Sequence, residues 1–192
     1  MHYKLSKIAA HLACWIPLIY LIYAVNNRML GADPQEEMMN QLGLWTLRFL
    51  LIGLSITPLN RIFKFPGLVK YRRMLGLYAF MYLILHISIF FVFFLETNIG
   101  YLWDETIERP YITVGMLAAL MLLPLVITST RKMQRRMGRH WKKLHKLVYP
   151  IAILGITHFI WQSKSDLNEP LIYLIWLTFI LGYRVYYSKF KT

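Results

Sequence analysis

A single cysteine, Cys14, in a chain of 192 residues excludes an internal disulfide, a thiolate-ligated metal cluster and the C-x-x-C-H attachment of a c-type haem. Acidic residues are also scarce, nine against 22 Lys plus Arg, and none falls within an apolar stretch. Transmembrane proton relays usually include an intramembrane Asp or Glu, so histidine-only relay chemistry is disfavoured. No G-x-G-x-x-G fingerprint occurs, which excludes dinucleotide binding in the usual way. Lys4 and Lys7 precede an apolar run that no A-x-A-like cleavage site follows, so this run reads as a retained first span rather than a removed signal. His11 occupies a place where lipid attachment at Cys14 would need an apolar residue. No internal repeat, low-complexity tract or soluble domain is visible. The longest outer connection, Glu96 to Pro110, is too short to be a catalytic domain.

What the chain does have is apolar length. It is 57% hydrophobic and 16% aromatic, with a mean hydropathy of +0.44, far beyond a soluble domain of this size. Six apolar segments run approximately from Ile8 to Val25, Leu42 to Pro58, Met74 to Leu95, Tyr111 to Thr128, Leu144 to Trp161 and Leu171 to Tyr187. A helix needs about 17–25 such residues to cross roughly 30 Å of hydrocarbon, and the segments are too long and uniform for barrel strands. The expected fold is an all-α integral membrane protein, a multi-pass six-helix bundle forming one domain over residues 1–192.

The net charge of +13 does not point to nucleic acid, because the basic residues sit between spans rather than on the face of a soluble module. They act as topology signals. Lys4 and Lys7, the group Arg61, Lys64, Lys70, Arg72 and Arg73, the group from Arg131 to Lys143, and Arg184, Lys189 and Lys191 all fall on one side. The positive-inside rule makes that side cytoplasmic and places both termini there. All nine acids lie opposite, from Asp33, Glu36 and Glu37 through Glu96, Asp104, Glu105 and Glu108 to Asp166 and Glu169. They either solvate the outer loops or form a docking face that steers a soluble partner.

The chemistry concentrates in Arg139 to Trp161, where His145 opens an apolar segment and His158 follows thirteen residues later. An intramembrane histidine that faced lipid would bury an unpartnered polar ring, so both are read as facing the bundle interior. On one straight helix they would stand roughly 20 Å apart and about 140° around the axis, too far for one macrocycle but compatible with two stacked haems. Pro150 between them is expected to kink or re-register the helix about there, turning both rings toward one side. His86, past the middle of the third span, can face His158 across the outer half of the bundle, as bis-histidine pairs from facing helices do around a b-type haem. His11 lies at the depth of His145 and is read either as a ligand or as an interfacial ring pointing to water. His140 and His2 read as solvated. Arg48 is the one clear charge inside a span; without an intramembrane acid beside it, its expected partner is an anionic ligand group such as a haem propionate, or it snorkels to the headgroups. Tyr101, Trp103, Trp161 and Tyr187 read as interfacial anchors.

These residues carry a resemblance. The stretches HLACWIPL (His11 to Leu18), LGADP (Leu30 to Pro34), RRMLGL (Arg72 to Leu77), RPYITVG (Arg109 to Gly115), TST (Thr128 to Thr130) and WKKLHKLVY (Trp141 to Tyr149), together with His86 and His158, span nearly the whole chain. The chain resembles the haem-binding membrane subunits of bacterial periplasmic methionine sulfoxide reductase systems, the MsrQ/YedZ family, itself akin to the membrane domains of ferric reductases and NADPH oxidases. The resemblance implies a b-type cytochrome of the bacterial inner membrane that passes electrons to a periplasmic molybdopterin-containing reductase, which repairs oxidised methionines in envelope proteins. It implies electrons from the quinone pool or a cytosolic flavin reductase, one or two haems b, an FMN, and ligand roles for His86, His145 and His158. The wider oxidase pattern has two histidines in the third span. Here His86 stands alone, with Arg72 or Arg73 at the second place, so a second haem would draw on His11 or another ligand. The alternatives are a stand-alone ferric or oxygen reductase and a small histidine-lined transporter.

Overall fold

A computed structural model describes residues 2–163 and 166–190, with the side chains of residues 2–4 and 66 set aside. The readings placed on the His2 and Lys4 side chains and on Lys191 lie outside it. Nine α-helices occur among the described residues: α1 (His2–Asn26), α2 (Pro34–Phe63), α3 (Arg72–Ile89), α4 (Tyr101–Glu108), α5 (Pro110–Ile127), α6 (Arg131–Met137), α7 (Arg139–Leu144), α8 (Val148–Gln162) and α9 (Asn168–Phe190). No strand appears among them. Six helical stretches are long and apolar enough to cross a membrane, so the chain is an all-helical protein with six candidate spans. The connections sort by charge into a basic end and an acidic end.

The bundle is built around α2. More than half of its apolar window, 56%, is buried, against 11–22% for the other candidate spans. One core cluster packs Phe49 and Leu50 of α2 against Tyr78 and Tyr82 of α3 and Cys14 and Leu21 of α1. The other packs Leu47, Leu51 and Leu54 against Ile156 of α8 and Leu177 and Ile180 of α9. Lipid tails are as apolar as leucine, so helices associate through close packing, which small residues permit. Ala79 and Ala152 are fully buried accordingly.

Helix α2 starts eight residues before the expected apolar onset, and the reason is its cap. The Asp33 side chain accepts from the Glu36 amide at 3.0 Å, Pro34 occupies the first turn, and Glu36 and Glu37 complement the positive helix end. The third span closes through a π-helical turn, Phe90–Phe94, and the basic stretch after Thr130 is folded into α6 and α7 rather than left as loop. The re-registration expected about Pro150 is present: a 3-10 turn at His145–Leu147 interrupts the fifth span at the carbonyl of Lys146, which the proline has no N–H to meet, and Pro150 itself sits in the first turn of α8. His145 and His158 lie in one candidate span, Arg139–Gln162, with His145 in the 3-10 turn and His158 in α8.

Tyr82 pins α1 to this core. Its hydroxyl donates to the Cys14 carbonyl at 2.9 Å and accepts from the Leu18 amide at 3.1 Å, inserting between two groups that would otherwise bond to each other along the helix. The insertion falls beside Pro17, whose ring already weakens the ladder. Tyr82→Phe is expected to remove about 1–2 kcal/mol. That corresponds to a fall of roughly 2–8 °C in melting temperature with α1 becoming protease-accessible first. An unchanged melting curve would show that α1 docks by packing alone.

Candidate functional site

His86 on α3 and His158 on α8 converge in the half of the bundle nearer the acidic end. Their ring centroids lie 6.4 Å apart with the planes crossed at 87°. The Nδ1–H of His86 donates to the Met39 carbonyl of α2 at 2.8 Å, and that of His158 donates to the Tyr111 carbonyl of α5 at 2.7 Å. A carbonyl only accepts, so each bond fixes the proton on Nδ1 and leaves the Nε2 lone pair of a neutral ring available to a metal. Metal-binding histidines are held in this way by a second hydrogen bond to the protein.

Two glycines make room for the rings. A Cβ on Gly43 of α2 would stand 3.0 Å from His86 Nδ1, and one on Gly115 of α5 would stand 2.8 Å from His158 Nδ1. Each histidine therefore lies flush against a neighbouring helix backbone one turn from the carbonyl it bonds. The two arrangements correspond residue for residue. Both hydrogen bonds span 47 residues, and the same step along the chain separates Met39 from Tyr111, Gly43 from Gly115 and His86 from His158. The expectation of no internal repeat is thereby corrected: the pairs α2–α3 and α5–α8, the two most extensively packed in the molecule, present a histidine in the same manner. That step also carries Arg73 to His145, so an exposed arginine takes the place in the first half that a histidine holds in the second.

A metal–imidazole bond of about 2.0 Å plus roughly 1.1 Å from nitrogen to ring centre, counted on both sides, puts two axial imidazoles about 6 Å apart. The observed separation matches. A porphyrin supplies its own four equatorial nitrogens, so two protein ligands suffice, whereas a site built from protein ligands alone takes three or four. No group of three or more His, Cys, Asp or Glu able to hold a metal occurs among the described residues. Helices α3 and α8 carry the pair without packing closely on each other. The donor set and the gap both fit haem.

The remaining candidates are placed elsewhere. His145 lies toward the basic end, stacked on Trp141 with centroids 3.8 Å apart and with Nδ1 against the Trp141 carbonyl at 3.1 Å. His11 bonds the Tyr78 hydroxyl through Nδ1 at 3.0 Å. Neither has a facing histidine among the described ring contacts. His140 is exposed.

Arg48 reaches outward to an acid at the membrane edge, Glu169, rather than to one within a span. Its Nε donates to the Tyr173 hydroxyl at 2.7 Å, its Nη2 donates to Glu169 at 3.2 Å, and its guanidinium lies 4.7 Å from the Trp45 ring centre. Glu169 belongs to the first turn of α9 at the membrane edge, outside the apolar run that defined the sixth segment. Five residues beyond Gly43, Arg48 points about 140° away around α2, toward α9 rather than toward the histidine pair.

Among the outer acids, Glu105 is tied to Arg109 at 3.2 Å and is largely covered, while Asp104 and Glu108 remain exposed on α4 beside Trp103 and Ile107.

The model of the ferric reductase-like transmembrane component matches residues 39–156, which take in α2 from Met39, α3, α5 and α8 as far as Ile156, so that His86 lies inside the match and His158 two residues beyond it. The protein-methionine-sulfoxide reductase haem-binding subunit MsrQ of Xanthomonas euvesicatoria pv. vesicatoria is 42% identical over 187 residues, covering 94% of this chain and 86% of the relative. The protein of the same description from Xanthomonas campestris pv. campestris is 43% identical with the same coverage. The chain belongs to the MsrQ family. Membership, at this coverage, extends the likeness beyond the matched transmembrane component to α1 and α9, so the Tyr82 insertion and the Arg48–Glu169 bridge lie within the shared region.

Proposed function

We propose that the chain is the membrane electron-transfer subunit of a methionine sulfoxide reductase system, a cytochrome b that holds haem between His86 and His158. The supporting observation is the 6.4 Å separation of two crossed imidazoles, each tethered through Nδ1 to a helix carbonyl. The printed descriptions of the Xanthomonas relatives, which name a haem-binding subunit of such a system, point the same way. Bound haem supplies reversible one-electron chemistry. The protein's part is to present the two ligand nitrogens and to hold their rings in place through the Met39 and Tyr111 carbonyls.

The charge asymmetry supports an orientation, and the direction of electron flow is proposed on it. With the basic end cytoplasmic, electrons enter from quinol or a cytosolic flavin reductase and leave at the acidic end, where the histidine pair lies, to a periplasmic molybdopterin-containing reductase. Exposed Asp104 and Glu108 belong to the surface that meets that partner.

Spectroscopy of the purified protein tests this reading. A b-type Soret and α-band, iron bound in stoichiometric amount, and reoxidation of the reduced protein by the periplasmic reductase with methionine sulfoxide are expected. A colourless, iron-free protein would sink the proposal in favour of a transporter. Reoxidation by ferric chelates but not by the reductase would move it to a stand-alone ferric reductase. Iron and FMN per polypeptide, measured on the same sample, give the cofactor count.

A further inference from the structure

Helix α4 has eight residues, and its sides differ in chemistry. With about 100° of turn per residue and Trp103 set at zero, Leu102, Glu105 and Thr106 fall between about 200° and 300° around the axis. These three are its partly buried positions. That sector faces the protein: α4 rests against α5, and the Glu105 carboxylate pairs with Arg109 at 3.2 Å. The exposed positions divide in two. Trp103 and Ile107, 72% and 63% exposed, occupy about 0–40°. Asp104 and Glu108 occupy about 100–140°, and Tyr101, at about 160°, stands beside them.

The protein-facing, apolar and acidic sectors are therefore centred roughly 100–130° apart and share the circumference. A helix on the surface of a soluble protein needs two faces, one for the core and one for water. The third face of α4 is apolar and is not covered by the bundle. A helix lying along the rim of a membrane-embedded bundle meets three media, with protein beside it, lipid below and water above, and α4 has one face for each.

Chain length sets the height of α4. The candidate span before it ends at Phe94 and the next begins at Pro110, so Arg109 alone joins Glu108 to a membrane-crossing helix. One residue reaches at most about 3.6 Å, which keeps the last turn of α4, and Ile107 with it, at the lipid surface. Both flanking spans carry exposed apolar side chains, Val92 and Phe93 before α4 and Leu117 and Leu120 after it, so the stripe continues along the chain a surface suited to lipid. Tryptophan is enriched at the membrane–water boundary, and amphipathic helices lie there with the apolar face about 5–10 Å deep. A carboxylate at that depth is costly, and both acids turn about 100° away from the stripe.

We propose that α4 lies in the plane of the membrane at the acidic end, with Trp103 and Ile107 seated in the lipid headgroup layer and Asp104 and Glu108 turned to water. Seated this way, the helix holds its acidic ridge at a fixed height above the lipid, where a soluble protein can reach it. The inference rests on the membrane spans and stands apart from the histidine pair and from haem.

The test uses the full chain in nanodiscs of dioleoyl phosphatidylcholine, with a nitroxide label on Trp103→Cys, Asp104→Cys, Ile107→Cys or Glu108→Cys. Collision with oxygen, which concentrates in the bilayer, should dominate at positions 103 and 107. Collision with a water-soluble nickel chelate should dominate at 104 and 108. The wild-type chain treated alike gives the background from Cys14, which is buried. Equal nickel exposure at all four positions would place the stripe in water, leave it to a soluble partner and overturn the proposal. Should a cysteine variant not fold, quenching of tryptophan fluorescence by brominated phosphatidylcholine is compared between the wild type and Trp103→Phe. The quenched share of the emission should fall in Trp103→Phe, and an unchanged or larger share would equally overturn the proposal.

Discussion

Replacing His86 or His158 with alanine is expected to abolish the low-spin spectrum of the pair, at least about tenfold in bound haem for either change, since loss of a direct ligand costs no less than loss of its supporting group. The two variants should look alike, because one remaining imidazole leaves the sixth position open whichever partner is lost. His145→Ala should behave differently: His145 stacks on Trp141 at the other end of the bundle, so the band due to His86 and His158 persists even where total iron falls. A control separates ligation from folding. His86→Gly and His158→Gly leave a ring-sized space, and added imidazole should restore the low-spin band. Restoration in His145→Gly alone, with no loss in the His86 and His158 variants, would show that the converging pair is not the haem site.

Much of this arrangement was legible in the sequence, and the limits of legibility have physical causes. Span number and type follow from apolar length, because lipid leaves the backbone no alternative to internal hydrogen bonding. Charge could not mark where α2 begins. Pro34 and Glu36 look like loop residues until the Asp33 cap is recognised, although Asp-Pro-x-Glu is itself an N-terminal signature. The partner of Arg48 escaped for a related reason. Glu169 stands two residues before the apolar run that begins at Leu171, and only the approach of α9 to α2 brings it within 3.2 Å of Arg48.

The internal correspondence was the least visible feature. It rests on a backbone carbonyl at Met39 and Tyr111, which any residue provides, and on glycines at Gly43 and Gly115 that look like ordinary small residues of a membrane helix. What repeats is the geometry around a histidine, while the surrounding side chains diverge: Arg48 in one half answers to Leu120 in the other, and Arg73 to His145. A search for similar sequence cannot find it, but a search for His preceded by Gly at equal separations would have.

The glycines yield the second large effect. In Gly115→Ala the new methyl group would lie 2.8 Å from His158 Nδ1 and 2.9 Å from its Cε1, closer than carbon tolerates. The ring must swing away or α5 must retreat, and either motion breaks the 2.7 Å bond to Tyr111 that holds the Nδ1 proton in place. Loss of such a supporting bond typically lowers metal affinity about 10–100-fold, so haem content should fall by that order, with the retained fraction shifted toward a high-spin spectrum. Gly43→Ala meets His86 Nδ1 at 3.0 Å and Cε1 at 3.1 Å, where a displacement of a few tenths of an ångström suffices. It should keep its haem and its low-spin band but change the midpoint potential and the crossing of the two imidazole planes, read from the low-spin electron paramagnetic resonance signal. A merely structural role for the glycines would lower stability in both variants and move neither potential nor resonance in the haem-loaded fraction. Equal behaviour of the two variants would break the link between ring clearance and ligation. An ordered response, severe at Gly115 and mild at Gly43, ties the backbone of α2 and α5 to the electronic properties of a site whose ligands lie on α3 and α8.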